Sequence, residues 1–194
     1  MLVGAACAEE AAPLDPPTTS SLELIDLPAE FQRRFDIDQR ARTLTVEQQE
    51  ELDEAKLEEL QQVDRDNTAW MKAVIARHGW PGVSLVGAKA SHQAWLLVQH
   101  ADLDRAFQER CLALMEDAPP GDVKPANLAY LEDRIAVGEG RPQRYGTQLR
   151  TVGERLVPQP LVDEANVDAL RAEVDLPPLA EYLERANRFY RTEP

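Results

Sequence analysis

Apolar residues recur at three- and four-residue steps from about residue 28 to 137, and the pattern stops at Gly138 and Gly140. That spacing lines apolar side chains along one stripe of an α-helix, which must then be buried against another element. Leu27-Pro28 opens a first helix over about 28–42, with Phe31, Phe35 and Ile37 as apolar contacts. Thr45 and Gln48 form a capping-box signature for a second helix that runs to about residue 78. Leu52, Leu57, Leu60, Val63, Met71, Val74 and Ile75 mark its apolar stripe. Gly79 suits a left-handed cap there, and Pro81 blocks continuation. A helix over about 88–101 carries Trp95, Leu96, Leu97 and Val98, is apolar on more than one side, and is expected to be central. Asp102 is expected to cap a helix over about 103–116, with Leu103, Phe107, Cys111 and Leu114 on one stripe. After the Pro119-Pro120-Gly121 turn, a helix over about 125–137 places Leu128, Leu131 and Ile135 on one face.

Beyond Gly140 the period changes. Tyr145, Thr147, Leu149 and Thr151 alternate with other residues, and Gly153-Glu154 offers a turn into Leu156-Val157, which predicts a β-hairpin. Two short helices follow, over about 163–173 and 178–190, on either side of Pro177-Pro178. The expected fold is mainly α: a single compact helical domain over residues 22–194, with about six helices and one small β-hairpin near residues 144–158.

Charge and cysteine usage narrow the function classes. A formal charge of -14 argues against a nucleic-acid partner bound through its phosphates, because such affinity rests on cationic neutralisation. No apolar run approaches the roughly 20 residues that span a bilayer, so no transmembrane segment is expected. Cys7 and Cys111 supply neither a disulfide framework nor a thiolate zinc cluster. Cys111 falls in an apolar helical pattern and is read as a buried, inert thiol. Residues 1–21 are expected to form a disordered segment or tether, with Pro13, Pro16 and Pro17 and no apolar period. Met1 to Ala6 followed by Cys7 looks like the end of a bacterial lipoprotein signal, with Cys7 as the candidate lipid anchor. Gly4 and the lack of a basic leading region depart from that pattern. The expected location is cytoplasmic; the alternative is a cell-envelope lipoprotein.

Polar residues that fill cores poorly are concentrated in the middle of the chain. The series runs Asp64-Arg65-Asp66-Asn67, His78-Gly79-Trp80-Pro81, Gln99-His100-Ala101-Asp102, Asp133-Arg134 and Tyr145-Gly146-Thr147-Gln148. In this order the segments resemble an uncharacterised bacterial family, a domain of unknown function frequent in actinobacteria. Asp38-Gln39-Arg40-Ala41-Arg42 looks like its N-terminal element, and Leu176-Pro177-Pro178-Leu179 with Tyr182 looks like its C-terminal ending. The resemblance covers about residues 28–185 and brings no reaction with it.

His100 is the leading catalytic candidate, because an imidazole titrates near neutrality and acts as acid, base or ligand. Its place near a helix C-terminus is expected to favour the charged form. Asp133 is expected to orient it. Arg134 is read as an anion clamp, since guanidinium suits carboxylate and phosphate. Gln143, Tyr145, Thr147, Gln148 and Trp80 are the candidate substrate-binding residues, and His100, Asp133, Arg134 and Gln148 are expected to meet around a cleft. Each has a structural alternative: an ion pair for Asp133 and Arg134, a stitched hairpin for residues 143–148, and a staple on the core for Trp80. No metal is expected, since His78, His92 and His100 show no closed ligand spacing. No cofactor motif occurs: there is no glycine-rich phosphate loop, and Ser91 lacks a nucleophile-elbow context. Two functions fit these residues. One is a small metal-independent enzyme, a hydrolase or group transferase with a polar site centred on His100. The other is a non-catalytic helical module that binds a small molecule or a protein.

Overall fold

A computed structural model describes residues 26–47 and 54–192. The expected segment 1–21 lies outside them. Among the described residues, seven helices and one hairpin follow in order: α1 Leu27–Glu47, α2 Glu54–His78, α3 Val83–Gln99, α4 Arg105–Glu116, α5 Pro125–Gly138, β1 Leu149–Val152, β2 Arg155–Pro158, α6 Val167–Glu173 and α7 Leu179–Thr192. The mainly α expectation holds, and each of the seven helices falls on a helical segment read from the sequence.

The apolar α3 is central, as its sequence predicts, and touches α1, α2, α4 and α5. Ala94, Leu97 and Val98 of α3 join Phe31 of α1, Trp70, Met71 and Val74 of α2, Cys111 and Met115 of α4 and Leu131 of α5 in one core. Burying such side chains contributes roughly 1.5–3 kcal/mol each. Among the described residues, no helix is long and apolar enough to cross a membrane.

Several boundaries differ from the sequence reading, and two of them shape the site. Helix α1 continues through Thr45 to Glu47, so Thr45 does not start a new helix. Between Ala29 and Glu47 there is no glycine or proline to stop the first helix, and a capping residue acts only where the chain has already broken. At α4 the cap is Asp104, not Asp102: its carboxylate accepts from Phe107 N at 3.1 Å. A tight turn in which Asp104 N donates to Ala101 O at 3.0 Å absorbs the two preceding residues and leaves Asp102 for another partner. Helix α3 begins at Val83 rather than 88, with a non-helical break at Gly87, φ 81°. Its first turn is held by Asp122, which accepts from Ser84 N at 2.6 Å and Ser84 Oγ at 2.9 Å.

The hairpin is antiparallel, with Leu149 opposite Pro158 and Val152 opposite Arg155, and it turns at Gly153. Residues 144–148, expected to begin it, form a loop with Gly146 at φ 72°. On the outer edge of β2, Asn187 of α7 accepts from Leu156 N at 2.8 Å and donates to Leu156 O at 2.9 Å. The side-chain amide thus supplies the edge partners that a third strand would give.

Candidate functional site

The sequence motifs divide into two clusters, each built on a fully buried aspartate. The first gathers where α1, α2 and α5 meet the C-terminal end of α3. His100 is the residue that ends α3, and its Nδ1 stands 2.9 and 3.1 Å from the two carboxylate oxygens of Asp38 on α1. Arg42, one helical turn beyond Asp38, points Nε at Asp38 Oδ1 (3.2 Å) and at His100 Nδ1 (2.9 Å). Its Nη2 reaches Asp64 Oδ1 of α2 at 2.5 Å. Arg134 of α5 grips Asp102 through Nε, at 2.9 Å, and through Nη2. Its Nη1 lies 3.5 Å from Gln148 Oε1, the outer limit of a hydrogen bond.

Nδ1 has one in-plane position and cannot accept from Arg42 while donating to Asp38. The Asp38 carboxylate is 0% exposed and needs donors, so we assign the proton to Nδ1, directed at Asp38. That tautomer makes Nε2 the acceptor. No described residue hydrogen-bonds Nε2, and the imidazole keeps 14% of its surface.

Burial opposes charge throughout this cluster, and the neighbours decide the outcome. Burial pulls the His100 imidazole below its ordinary value, and the Arg42 and Arg134 charges add to this, against the lift from Asp38. The net shift is therefore toward the neutral imidazole, whereas the helix-end position was expected to favour the charged form. Burial would raise the Asp38 carboxyl, but the His100 hydrogen bond and the His100 and Arg42 charges hold it below the usual range. Asp64 goes the other way. Burial pushes it up to about 6, against the pull of Arg42 and with the help of the Asp38 and Asp102 charges.

The second cluster is closed. Asp133 is 0% exposed. Its carboxylate accepts from Arg144 N at 2.7 Å, Tyr145 N at 3.0 Å, Thr147 N at 2.9 Å and Thr147 Oγ1 at 2.9 Å. Gln143, also 0% exposed, donates to Gln148 O and Gln159 O at 2.9 Å each and accepts from Gln148 N at 2.8 Å. From the other side, buried Arg171 donates to Tyr145 O and Pro177 O, both at 2.6 Å, and Tyr182 Oη donates to Thr147 O at 3.0 Å. A carboxylate taking loop amides and a guanidinium taking loop carbonyls fix residues 143–148 against α5, α6 and α7.

The structure thus brings Arg134 to Gln148 and sets the Arg134 charge near enough to act on His100. It does not use Asp133 to orient His100; Asp38 has that position, because both Asp133 oxygens are spent on the 144–147 loop. Gln143, Tyr145 and Thr147 belong to that buried loop. Trp80 lies just before the other end of α3, packed against the core, with roughly 25 Å of helix between it and His100. The sequence reading of the site missed Asp38, Arg42, Asp64 and Asp102. Their signal was the Asp-x-x-x-Arg spacing of 38 and 42, which puts both side chains on one face of a helix.

Two surface concavities contain none of these residues. One of about 770 Å³ lies between β2 and α7, lined by Leu156, Leu183 and Asn187 among others. The other, of about 460 Å³, lies between α2 and α4 around Lys72 and Phe107. The chemistry of the first cluster outweighs their size, since neither holds a comparable set of ionisable partners. Cys111 is buried and its thiol is pushed up to about 12, which leaves it inert. Among the described residues, no three His, Cys, Asp or Glu side chains gather as a metal-ligand set.

The fold and the cluster define a mainly helical domain with a carboxylate–imidazole pair set among arginine–carboxylate bridges. The chain belongs to the family described as Family of unknown function (DUF6624), whose model matches residues 25–192. No curated protein and no solved structure matches it.

Proposed function

We propose that the protein is a small enzyme, a hydrolase or group transferase, in which His100 is the general acid–base. The observation that carries this is the Asp38–His100 pair: Nδ1 lies 2.9 Å from a fully buried carboxylate, and Nε2 is left without a described partner. In this arrangement an attacking hydroxyl or water gives its proton to Nε2, and the same proton passes to the leaving group. Asp38 holds the ring in the productive tautomer and stabilises the imidazolium while it exists. Depression of the His100 value keeps the resting imidazole neutral at pH 7, as a base requires. Arg134 and Gln148, at the rim, contact the substrate.

A second reading is a non-catalytic module that binds a small molecule or a protein. It draws on the closed Asp133–Gln143–Thr147 set, whose polar groups satisfy one another away from solvent.

A metabolite-library thermal-shift screen, followed by turnover assays on each hit, separates the two. For the enzyme, His100→Ala loses roughly 10²–10⁴ in kcat and melts near the wild-type temperature. If the module reading holds, the same change destabilises the fold by about 1–3 kcal/mol and leaves ligand affinity of the folded protein unchanged.

A further inference from the structure

We propose that Asp64 of α2 is a positioning residue for His100 and acts through Arg42. Ionised Asp64 draws the Arg42 guanidinium toward α2 and leaves Asp38 to hold the imidazole; protonated Asp64 lets Arg42 turn to Asp38 and displace the ring. The proposal rests on the reading of His100 as the site's centre and adds its control by acid.

Asp38 is a contested carboxylate. Both of its oxygens face His100 Nδ1, at 2.9 and 3.1 Å. Oδ1 also faces Arg42 Nε at 3.2 Å, and Oδ2 accepts from Gln39 Nε2 at 2.9 Å. With the proton on Nδ1, the ring and Arg42 Nε are two donors aimed at one oxygen, and they stand 2.9 Å apart. Two N–H groups at that distance repel, so imidazole and guanidinium are rivals for Asp38.

Asp64 decides between them. Its Oδ1 takes Arg42 Nη2 at 2.5 Å, the shorter of the two carboxylate contacts that Arg42 makes among the described residues. Asp38 lies one turn back on Arg42's own helix, whereas Asp64 lies across the contact of α1 with α2. The pull across that contact keeps Arg42 from taking Asp38 with two nitrogens, the fork that guanidinium favours for a carboxylate.

The surrounding charges allow Arg42 to move. Asp38 and Arg42 face Asp64 from α1, Asp102 from the turn after α3, and Arg134 from α5. His100 stands against Asp38 at the end of α3, and Arg105 of α4 acts on Asp102. Asp38, Asp64 and Asp102 therefore balance Arg42, Arg105 and Arg134 while Asp64 is ionised. A proton on Asp64 leaves one guanidinium in excess. Arg134 keeps Asp102, and Arg105 keeps Gln108 and the Arg134 carbonyl. Arg42 is the one that loses a carboxylate, and Asp38 is already beside it.

Burial pushes Asp64 up to about 6, which puts the change close to neutral pH. Once Arg42 takes Asp38, nothing holds the imidazole proton on Nδ1. The neutral ring can then carry it on Nε2, where it blocks the acceptor that a base needs. The site is on with Asp64 ionised and off with Asp64 protonated.

The test follows the ring nitrogens of His100 by NMR in the full chain through a pH titration, with Asp64 read at its carboxyl carbon. The neutral ring is expected to pass from the Nδ1–H to the Nε2–H form at the Asp64 midpoint, about 6. Asp64→Asn fixes the off state: the Nε2–H form persists at neutral pH, and the His100 midpoint falls by roughly one pH unit. With Arg42→Met as the background, adding Asp64→Asn moves the His100 midpoint by less than half as much, because no guanidinium is left to turn. An Nδ1–H ring in Asp64→Asn, or an equal shift with and without Arg42, overturns the proposal and leaves the acid–base reading of His100 standing. If Asp64→Asn does not fold, the wild type decides: a change of ring form at the Asp64 midpoint supports the proposal, and a ring that keeps Nδ1–H through it overturns it. Conversely, unchanged turnover in His100→Ala ends the acid–base reading and leaves the answer of the ring titration untouched.

Discussion

Asp38 and Asp133 are both 0% exposed, yet they do different things. Asp133 is held by three backbone amides and one hydroxyl of residues 144–147. Asp38 is held by the side chains of Gln39, Arg42 and His100. Backbone amides do not titrate, and they move only if the loop moves, so the Asp133 cluster is a fastener. Among the partners of Asp38, His100 exchanges protons, and both it and Arg42 reach toward solvent: their side chains keep 14% and 26% of their surface. A buried carboxylate therefore marks a site only through the kind of partner it keeps.

The largest effect is expected from the fastener. Asp133→Ala leaves several buried N–H groups without an acceptor, each costing about 1–3 kcal/mol, for a net loss of roughly 3–4 kcal/mol. Urea unfolding measures it, and a loss under about 1 kcal/mol would break the comparison.

Asp38→Asn is expected to cost less, about 1–3 kcal/mol, and to do something the first change does not. It removes the partner that lifts His100, so NMR should find the imidazole titrating still lower than in the wild type. The pH dependence has a definite sign. Asp38 is depressed in the folded state, so its stabilisation is present above the unfolded carboxyl value and is lost as pH falls through the folded one. The stability gap between wild type and Asp38→Asn should close in acid; a gap that widens there contradicts the pairing.

The smallest effect is expected at Gly146. Its φ of 72° is left-handed, and an added Cβ would lie 3.0 Å from Leu179 Cδ1. Gly146→Ala should cost about 1–2 kcal/mol, read as a lower melting temperature, with the His100 titration unmoved. A shifted His100 midpoint would show that the two clusters are coupled.

Much of the scaffold was legible in advance. The 3–4 spacing placed α2, α4 and α5, and the all-round apolar α3 was expected at the centre. The boundaries missed were those set by local competition, as at Thr45, where an uninterrupted helix overrides a cap signature, and at Asp102, where a turn shifts the cap to Asp104. The site was half legible. His100, Arg134 and Gln148 stood out as polar residues in poor company, and Arg134 and Gln148 do meet. The expected partner of His100 was wrong because sequence gives no distance between Asp133 and Asp38 as rivals for one imidazole. Asp133 lies 33 residues away and Asp38 lies 62 away, on a helix that packs alongside α3.

The sequence by itself determined the helical period, the glycine and proline breaks, the hairpin after Gly140 and the family membership that its motifs carry. These are local properties, written in neighbouring residues. Tertiary structure alone decided which aspartate orients His100, that Arg42 bridges Asp38 and Asp64, and that Asp133 closes a loop instead of opening a site. A buried polar group must take whichever donors the packing of distant elements brings within about 3 Å, and that choice is made by the packing of α1, α2 and α5 around the end of α3.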